Sequence, residues 1–182
     1  MVAADGEAMR SKAGKTKRIA VLAMLSALGV VILYAGAIIS VMDISVAVIA
    51  SMLAVFAVIE YGKSAPWLVF AVTSVLSLLL LPQKSPAVMY ALFFGYYPIL
   101  KEKYEKKGKI LGWVLKEATF HAAIVVMYFA LRIVAFESVD MPVIMLAVTL
   151  VLFEIVFPLY DVALTRVISF YIYRLRSRFK IK

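Results

Sequence analysis

The sequence lacks cysteine altogether and has a single histidine, His121, among its 182 residues. Without thiols there are no disulfides, no thiolate metal sites and no cysteine nucleophile. One imidazole also excludes a multi-histidine metal centre. We therefore expect no metal, no cofactor and no catalytic residues. A hydrolase that uses two carboxylates is the enzymatic alternative, but neither a nucleophile motif nor a metal signature accompanies it.

Charged residues are scarce, at 17% of the chain, whereas hydrophobic residues make up 65%. A soluble domain of this length has too little interior to bury so much apolar surface. The lipid bilayer must cover the remainder and is thus the first expected partner. The predicted fold class is all-α: a polytopic membrane protein, built as a bundle of about six transmembrane helices.

Six apolar stretches follow a polar, basic arm at residues 1–18. They cover residues 19–42, 44–61, 67–81, 87–100, 110–136 and 141–173. The fourth is short for a helix that needs about 20 residues to cross, and the last is too long for one perpendicular crossing. Pro158 is expected to kink it. The chain thus divides into the arm, a six-helix transmembrane domain at 19–175 and a basic tail at 176–182.

A cleaved signal peptide is the alternative for the first stretch, because residues 35–37 resemble a cleavage site. The apolar run continues past that point and exceeds the usual length of about 7–15 residues. We therefore predict a transmembrane helix.

The distribution of lysine and arginine predicts the orientation. The arm, the loop at Lys63, the loop at residues 101–109 and the tail fall on one side and carry nearly all the basic residues. The protein is expected in the cell membrane, and the positive-inside rule places this side, with both termini, in the cytoplasm. The net charge of +9 also suits nucleic acid. No aromatic–basic interleaving accompanies the charge, so nucleic acid is not an expected partner.

A small-residue motif, Ala23-Met24-Leu25-Ser26-Ala27, lies in the first span, and Ala20 and Gly29 widen its small surface. Residues four apart share one helix face, and small side chains there let another helix approach closely. The approaching helix belongs either to this protein or to a separate membrane subunit.

The motif, the basic arm before it and six spans in under 200 residues together resemble the S components, the substrate-binding membrane subunits of energy-coupling factor (ECF) importers. The resemblance implies that Ala23 and Ala27 pack against a transmembrane coupling subunit driven by two cytoplasmic ATPases. It also implies a vitamin-like small nutrient as substrate. The chain has no Walker motif of its own. The rival family is the rod-shape membrane proteins of the cell-wall machinery, which implies a scaffold subunit without a small-molecule ligand.

Ionisable residues within the last two spans form a second candidate site. Lys116, Glu117 and His121 lie on the fifth span and Glu154 on the sixth. Burying an ionisable group in lipid costs about 2.5–3.5 kcal/mol on insertion scales, so we expect these groups to pair in a polar network. The network either fixes the register of the two helices or serves a proton relay or ligand site.

A polar set in the outer half is the third candidate, as a substrate site open to the outside. It consists of Tyr34, Asp43, Gln83, Lys84, Tyr128 and Arg132. The guanidinium of Arg132 either faces a substrate carboxylate or extends to the lipid headgroups.

Overall fold

The structure is a computed structural model, which describes residues 2–39, 42–62, 64–135 and 143–175. Every regular element within these ranges is helical. The chain forms two units, Met1–Ala135 and Phe136–Lys182. The first contains α1 (Val2–Ile38), α2 (Asp43–Tyr61), α3 (Ala65–Leu80), α4 (Ser85–Met89), a π-helical turn (Tyr90–Phe94), α5 (Tyr97–Glu105) and α6 (Lys109–Ala135). The second contains α7 (Val143–Phe170) and a π-helical turn (Tyr171–Leu175).

The described helices confirm the predicted helical membrane fold. Four of them are long and apolar enough to cross a bilayer, through the segments Gly14–Ile38, Asp43–Tyr61, Lys109–Ala130 and Val148–Arg174. Helix α3 has 16 residues. It is about 24 Å long at 1.5 Å per residue, less than the ~30 Å of a hydrocarbon core.

The fourth predicted span is a broken helix rather than a regular one. Helix α4 passes into the π-helical turn, and α5 begins only after Gly95 and Tyr96. Pro98 lies in the first turn of α5, where its missing N–H breaks no helical hydrogen bond. The N-terminal arm is helical. Helix α1 already begins at Val2 and so includes most of the arm.

Helices α1 and α2 meet through small side chains. A Cβ added to Gly36 would lie 2.2 Å from Cγ2 of Val46, so only glycine allows this approach. Around the contact, a buried apolar cluster joins α1 and α2 to α4 and the π-helical turn; it contains Leu33, Ala37, Val46, Ala47, Ala50, Leu81, Ala87 and Tyr90. Such close packing provides the association energy that lipid-exposed apolar surface cannot supply.

In the second unit, Pro158 lies inside α7. Thr165 Oγ1 donates a hydrogen bond to the carbonyl oxygen of Asp161 at 2.9 Å. A hydroxyl that bonds the preceding turn in this way is satisfied within its own helix.

Candidate functional site: a docking face and two polar clusters

The small-residue motif of α1 lies on an exposed face. Ala23 and Ala27 are exposed, whereas Leu22 and Ser26, each of which directly precedes one of them, are buried. Gly29, which the sequence suggests as part of the same small surface, is buried on the other face. A Cβ there would lie 2.9 Å from Cγ2 of Thr73 on α3. Helix α1 therefore has two small-residue faces, of which one packs inside the first unit and the other is exposed.

A shallow groove borders the exposed face. Between α1 and α3 lies a cavity of about 210 Å³, lined by Ile19, Leu22, Ala23, Ser26, Leu68, Val69 and Val72. Across the α1–α3 contact, Thr73 Oγ1 donates a hydrogen bond of 3.4 Å to the carbonyl oxygen of Ser26. The Ser26 hydroxyl in turn donates to the carbonyl oxygen of Leu22 at 2.9 Å, so its polar atoms are satisfied and the groove is apolar.

An ion cluster joins α5 to α6. Oε1 of Glu105 lies 2.9 Å from Nζ of Lys101 and 3.1 Å from Nζ of Lys116. The two lysines are only 1% and 5% exposed, so each needs an anionic partner to remain charged. One carboxylate therefore pairs with both lysines.

The titration of Glu105 follows from this arrangement. Partial burial acts to raise the pKa of its carboxyl. The hydrogen bonds and positive charges of Lys101 and Lys116 outweigh that effect, so the pKa of Glu105 lies below its usual value of 4.5. The ionised form is thus the one that the fold favours.

The polar network expected in the fifth and sixth spans includes two contacts that the structure describes. Lys116 pairs with Glu105 of α5, which the prediction did not include. Glu117 and His121 contact each other, at 3.9 Å between Oε2 and Nδ1. Glu154 is exposed on α7, in the second unit, and its pairing with Lys116 stays a prediction.

A signal for the missed residues exists in the sequence. Lys101 and Glu105 are four apart, the spacing at which opposite charges meet on a helix. The composition of residues 101–109 indicates a charged loop, whereas α5 continues as a helix to Glu105. Its last turns therefore hold residues that face α6.

The outer polar set is dispersed over several elements. Tyr34 is exposed on α1, Gln83 is exposed after α3, and Tyr128 is exposed on α6 beside Phe129. Lys84 Nζ donates to the carbonyl oxygen of Leu81 at 2.6 Å, close to the end of α3. The side chain of Arg132 lies outside the described residues.

Asp43 is the member of this set with an unused hydrogen-bonding atom. It begins α2 and is buried, and its Oδ1 has no hydrogen-bond partner among the described residues. An acceptor that is buried without a donor costs free energy, so a donor bound at Asp43 would stabilise the protein.

Contacts within the first unit place the basic ends of its helices together. Nη2 of Arg18 donates to the carbonyl oxygen of Tyr61 at 3.1 Å, which joins α1 to the end of α2. Nζ of Lys103 lies 5.6 Å from the ring centre of Trp67, which joins α5 to the start of α3. Asp43 and Lys84 lie at the opposite ends of α2 and α3.

These features define a helical membrane protein with an exposed small-residue face. No family model, no curated protein and no solved structure matches the chain. Among the described residues, no three histidine, aspartate or glutamate side chains are placed to hold a metal ion.

Proposed function

We propose that the protein is the substrate-binding membrane subunit of an ATP-driven, ECF-type importer of a vitamin-like small nutrient. The observation that carries the proposal is the exposure of Ala23 and Ala27 on α1. In the S components, which this chain resembles, an Ala-x-x-x-Ala motif on the first helix contacts the coupling subunit. A small-residue face that its own fold leaves exposed suits that role.

The groove beside the motif supports the same interface. A helix that packs on the Ala23–Ala27 face approaches to short distance because both side chains are small. Its larger side chains then have room in the 210 Å³ groove against Leu68 and Val72 of α3. Helices α1 and α3 together thus offer a complementary surface for one partner helix.

The proposed orientation has the basic ends in the cytoplasm. The contacts of Arg18 and Lys103 bring basic residues of α1 and α5 to one end of the first unit, and the positive-inside rule assigns such an end to the cytoplasm. Both termini would then share the side on which the two ATPases act. The coupling subunit would transmit the conformational changes of the two ATPases to α1.

The proposed substrate site lies at the opposite end of the helices. The unpartnered Oδ1 of the buried Asp43 is available to accept a hydrogen bond from an amine or hydroxyl of the substrate. Tyr34, Gln83 and Lys84 belong to the same half of the bundle. Capture there, followed by reorientation on the coupling subunit, completes the mechanism.

A scaffold subunit of a cell-envelope complex is the second candidate. The observation that favours it is the form of two cavities in the first unit, which are open grooves lined mainly by apolar side chains. Open apolar grooves can accept helices of partner proteins, which is what a scaffold subunit requires.

The test is affinity purification of the protein from its native membranes, with mass spectrometry of the proteins and small molecules that accompany it. The wild type should retain a polytopic coupling subunit, two ATPases and one small molecule. The double variant Ala23→Leu/Ala27→Leu should lose the three proteins and keep the small molecule. Ala71→Leu, at an exposed alanine of α3, is the matched control and should retain everything.

Two results would overturn the proposal. Retention of cell-wall enzymes without ATPases, and without any small molecule, would assign the protein to the scaffold class. Equal recovery of the partners by the wild type and the double variant would show that the alanine face is not the docking surface.

A further inference from the structure

A second groove in the first unit has a different character. It lies between α6 on one side and the π-helical turn and α5 on the other, with a volume of about 510 Å³. Leu92, Tyr96, Leu100 and Tyr104, spaced by four, form one wall, and small side chains such as Ala118 and Ala122 form the other. It is therefore long, narrow and largely apolar.

The length of the groove matches one leaflet of a bilayer. Leu92 and Tyr104 are twelve positions apart, which would be about 18 Å in a regular helix; the π-helical turn and the break at Gly95 and Tyr96 lie within this stretch. Half of a ~30 Å hydrocarbon core is about 15 Å. Tyr104 is one residue from the end of α5, so the groove starts where the chain leaves the helix and follows the helices inward.

The polarity of the groove changes along its length. Tyr104 and Thr119 are hydrogen bonded through their hydroxyls at 2.9 Å near the loop end. Because Thr119 donates its proton to the carbonyl oxygen of Leu115 at 2.8 Å, Tyr104 is the donor in this pair. Apart from Tyr96, the deeper part is lined by leucine, alanine and valine. A lipid has the same gradient, from ester groups to hydrocarbon.

The loop end carries an excess of positive charge. Glu102 pairs with Lys106, and Glu105 serves both Lys101 and Lys116, so the acidic residues of α5 are neutralised. Lys107 and Lys109, on either side of Gly108, are exposed. The backbone N–H of Lys107 donates to the carbonyl oxygen of Tyr104 at 3.0 Å, which places it at the groove entrance.

We propose that this groove binds one acyl chain of an anionic phospholipid, whose phosphate lies at Lys107 and Lys109. The apolar walls accept the chain over one leaflet, and the hydroxyl pair lies near its ester groups. The two lysines select a negatively charged headgroup over a zwitterionic one, as basic juxtamembrane positions do. The lipid would then be a structural part of the α5–α6 contact, independent of the substrate and of the docking face.

The test is native mass spectrometry of the purified protein after incubation with equal amounts of phosphatidylglycerol and phosphatidylcholine. The wild type should retain one phosphatidylglycerol with a roughly tenfold preference. The variant Lys107→Gln/Lys109→Gln should lose most of that preference. Lys15→Gln/Lys17→Gln, which removes the same charge from exposed positions of α1, should keep it.

A second variant tests the groove itself. Ala122→Phe fills the wall and should abolish retention of the lipid. Val125→Phe, at an exposed position of α6 that does not line the groove, should leave retention unchanged. If Ala122→Phe does not fold, Ala118→Leu replaces it and the charge variants decide the headgroup selection.

Three outcomes would overturn the proposal. Equal retention of the two lipids would remove the charge selection. Retention by a folded groove variant at the wild-type level would place the lipid elsewhere. A dimer in place of the lipid-bound monomer would assign the groove to a second copy of the chain.

Discussion

The α1–α2 and α5–α6 pairs are both close helix contacts, but different interactions hold them. At the α1–α2 contact, Gly36 lies directly against Val46 and the surrounding cluster is apolar. At the α5–α6 contact, Lys116 pairs with Glu105 and Tyr104 bonds Thr119. Shape holds the first pair, whereas charge and hydrogen bonds contribute to the second.

The difference has consequences for substitution. A contact made by close packing fails when bulk is added, and the two residues that touch here, Gly36 and Val46, carry no charge. A contact made by a shared carboxylate weakens when its charge is removed, because two buried cations then lose the anion that both of them contact. A groove of about 510 Å³ lies beside the α5–α6 contact.

The largest effect is expected for Gly36→Leu. The new side chain would begin 2.2 Å from Cγ2 of Val46, so α1 and α2 must separate. Overpacking of this kind costs about 1–3 kcal/mol, and more where the backbone must move. Thermal unfolding in detergent should show a large loss of stability. Ala27→Leu, the matched control on the exposed face, should unfold like the wild type, and an equal loss in both would contradict the assignment of the two faces.

The next effect concerns the shared carboxylate. Glu105→Gln leaves Lys101 and Lys116 facing a neutral amide, and loss of a hydrogen bond to a charged group costs about 1.5–3 kcal/mol. Lys116→Met removes one cation and leaves the Lys101–Glu105 pair intact, so its loss should be smaller. Detergent unfolding of the two variants checks the order. Greater loss from Lys116→Met would mean that Glu105 does not hold both lysines.

The smallest effect is a pH dependence confined to the α5–α6 contact. The pKa of Glu105 is lower in the folded protein than its usual value of 4.5. Its contribution to stability is therefore fully present above about that pH and is lost as the pH falls through the folded pKa. Unfolding temperatures between pH 7 and pH 3 should fall more steeply for the wild type than for Glu105→Gln. Parallel curves for the two proteins would show that the carboxyl does not titrate as the structure requires.

Hydropathy was sufficient to predict the helical membrane fold, because a bilayer forces apolar stretches of this length into helices. The broken fourth span was less predictable. Its short length indicates that it is not a regular membrane-spanning helix. The π-helical turn at Tyr90–Phe94, however, depends on packing that no local sequence pattern indicates. The side chain of Tyr90 lies in the same cluster as Leu33 and Ala47, which are distant in sequence.

The small residues of α1 show the limit of motif reading most clearly. Ala23, Ala27, Gly29 and Gly36 all match the pattern of a helix contact, yet two are exposed and two meet α3 and α2. The spacing of these residues shows on which face of α1 each one lies. It does not show which face packs against another helix. Likewise, Glu105 was overlooked because a charged loop and the last turn of a helix have the same composition.

The most direct measurement of the central claim is photocrosslinking in native membranes, with a benzophenone amino acid in place of Ala27. We expect a crosslink to a polytopic membrane protein that co-purifies with two ATPases. The same reporter in place of Val125, an exposed position of α6 outside both grooves, should give no such product. A crosslink at Ala27 to a cell-wall enzyme, or to lipid alone, would contradict the proposed importer subunit.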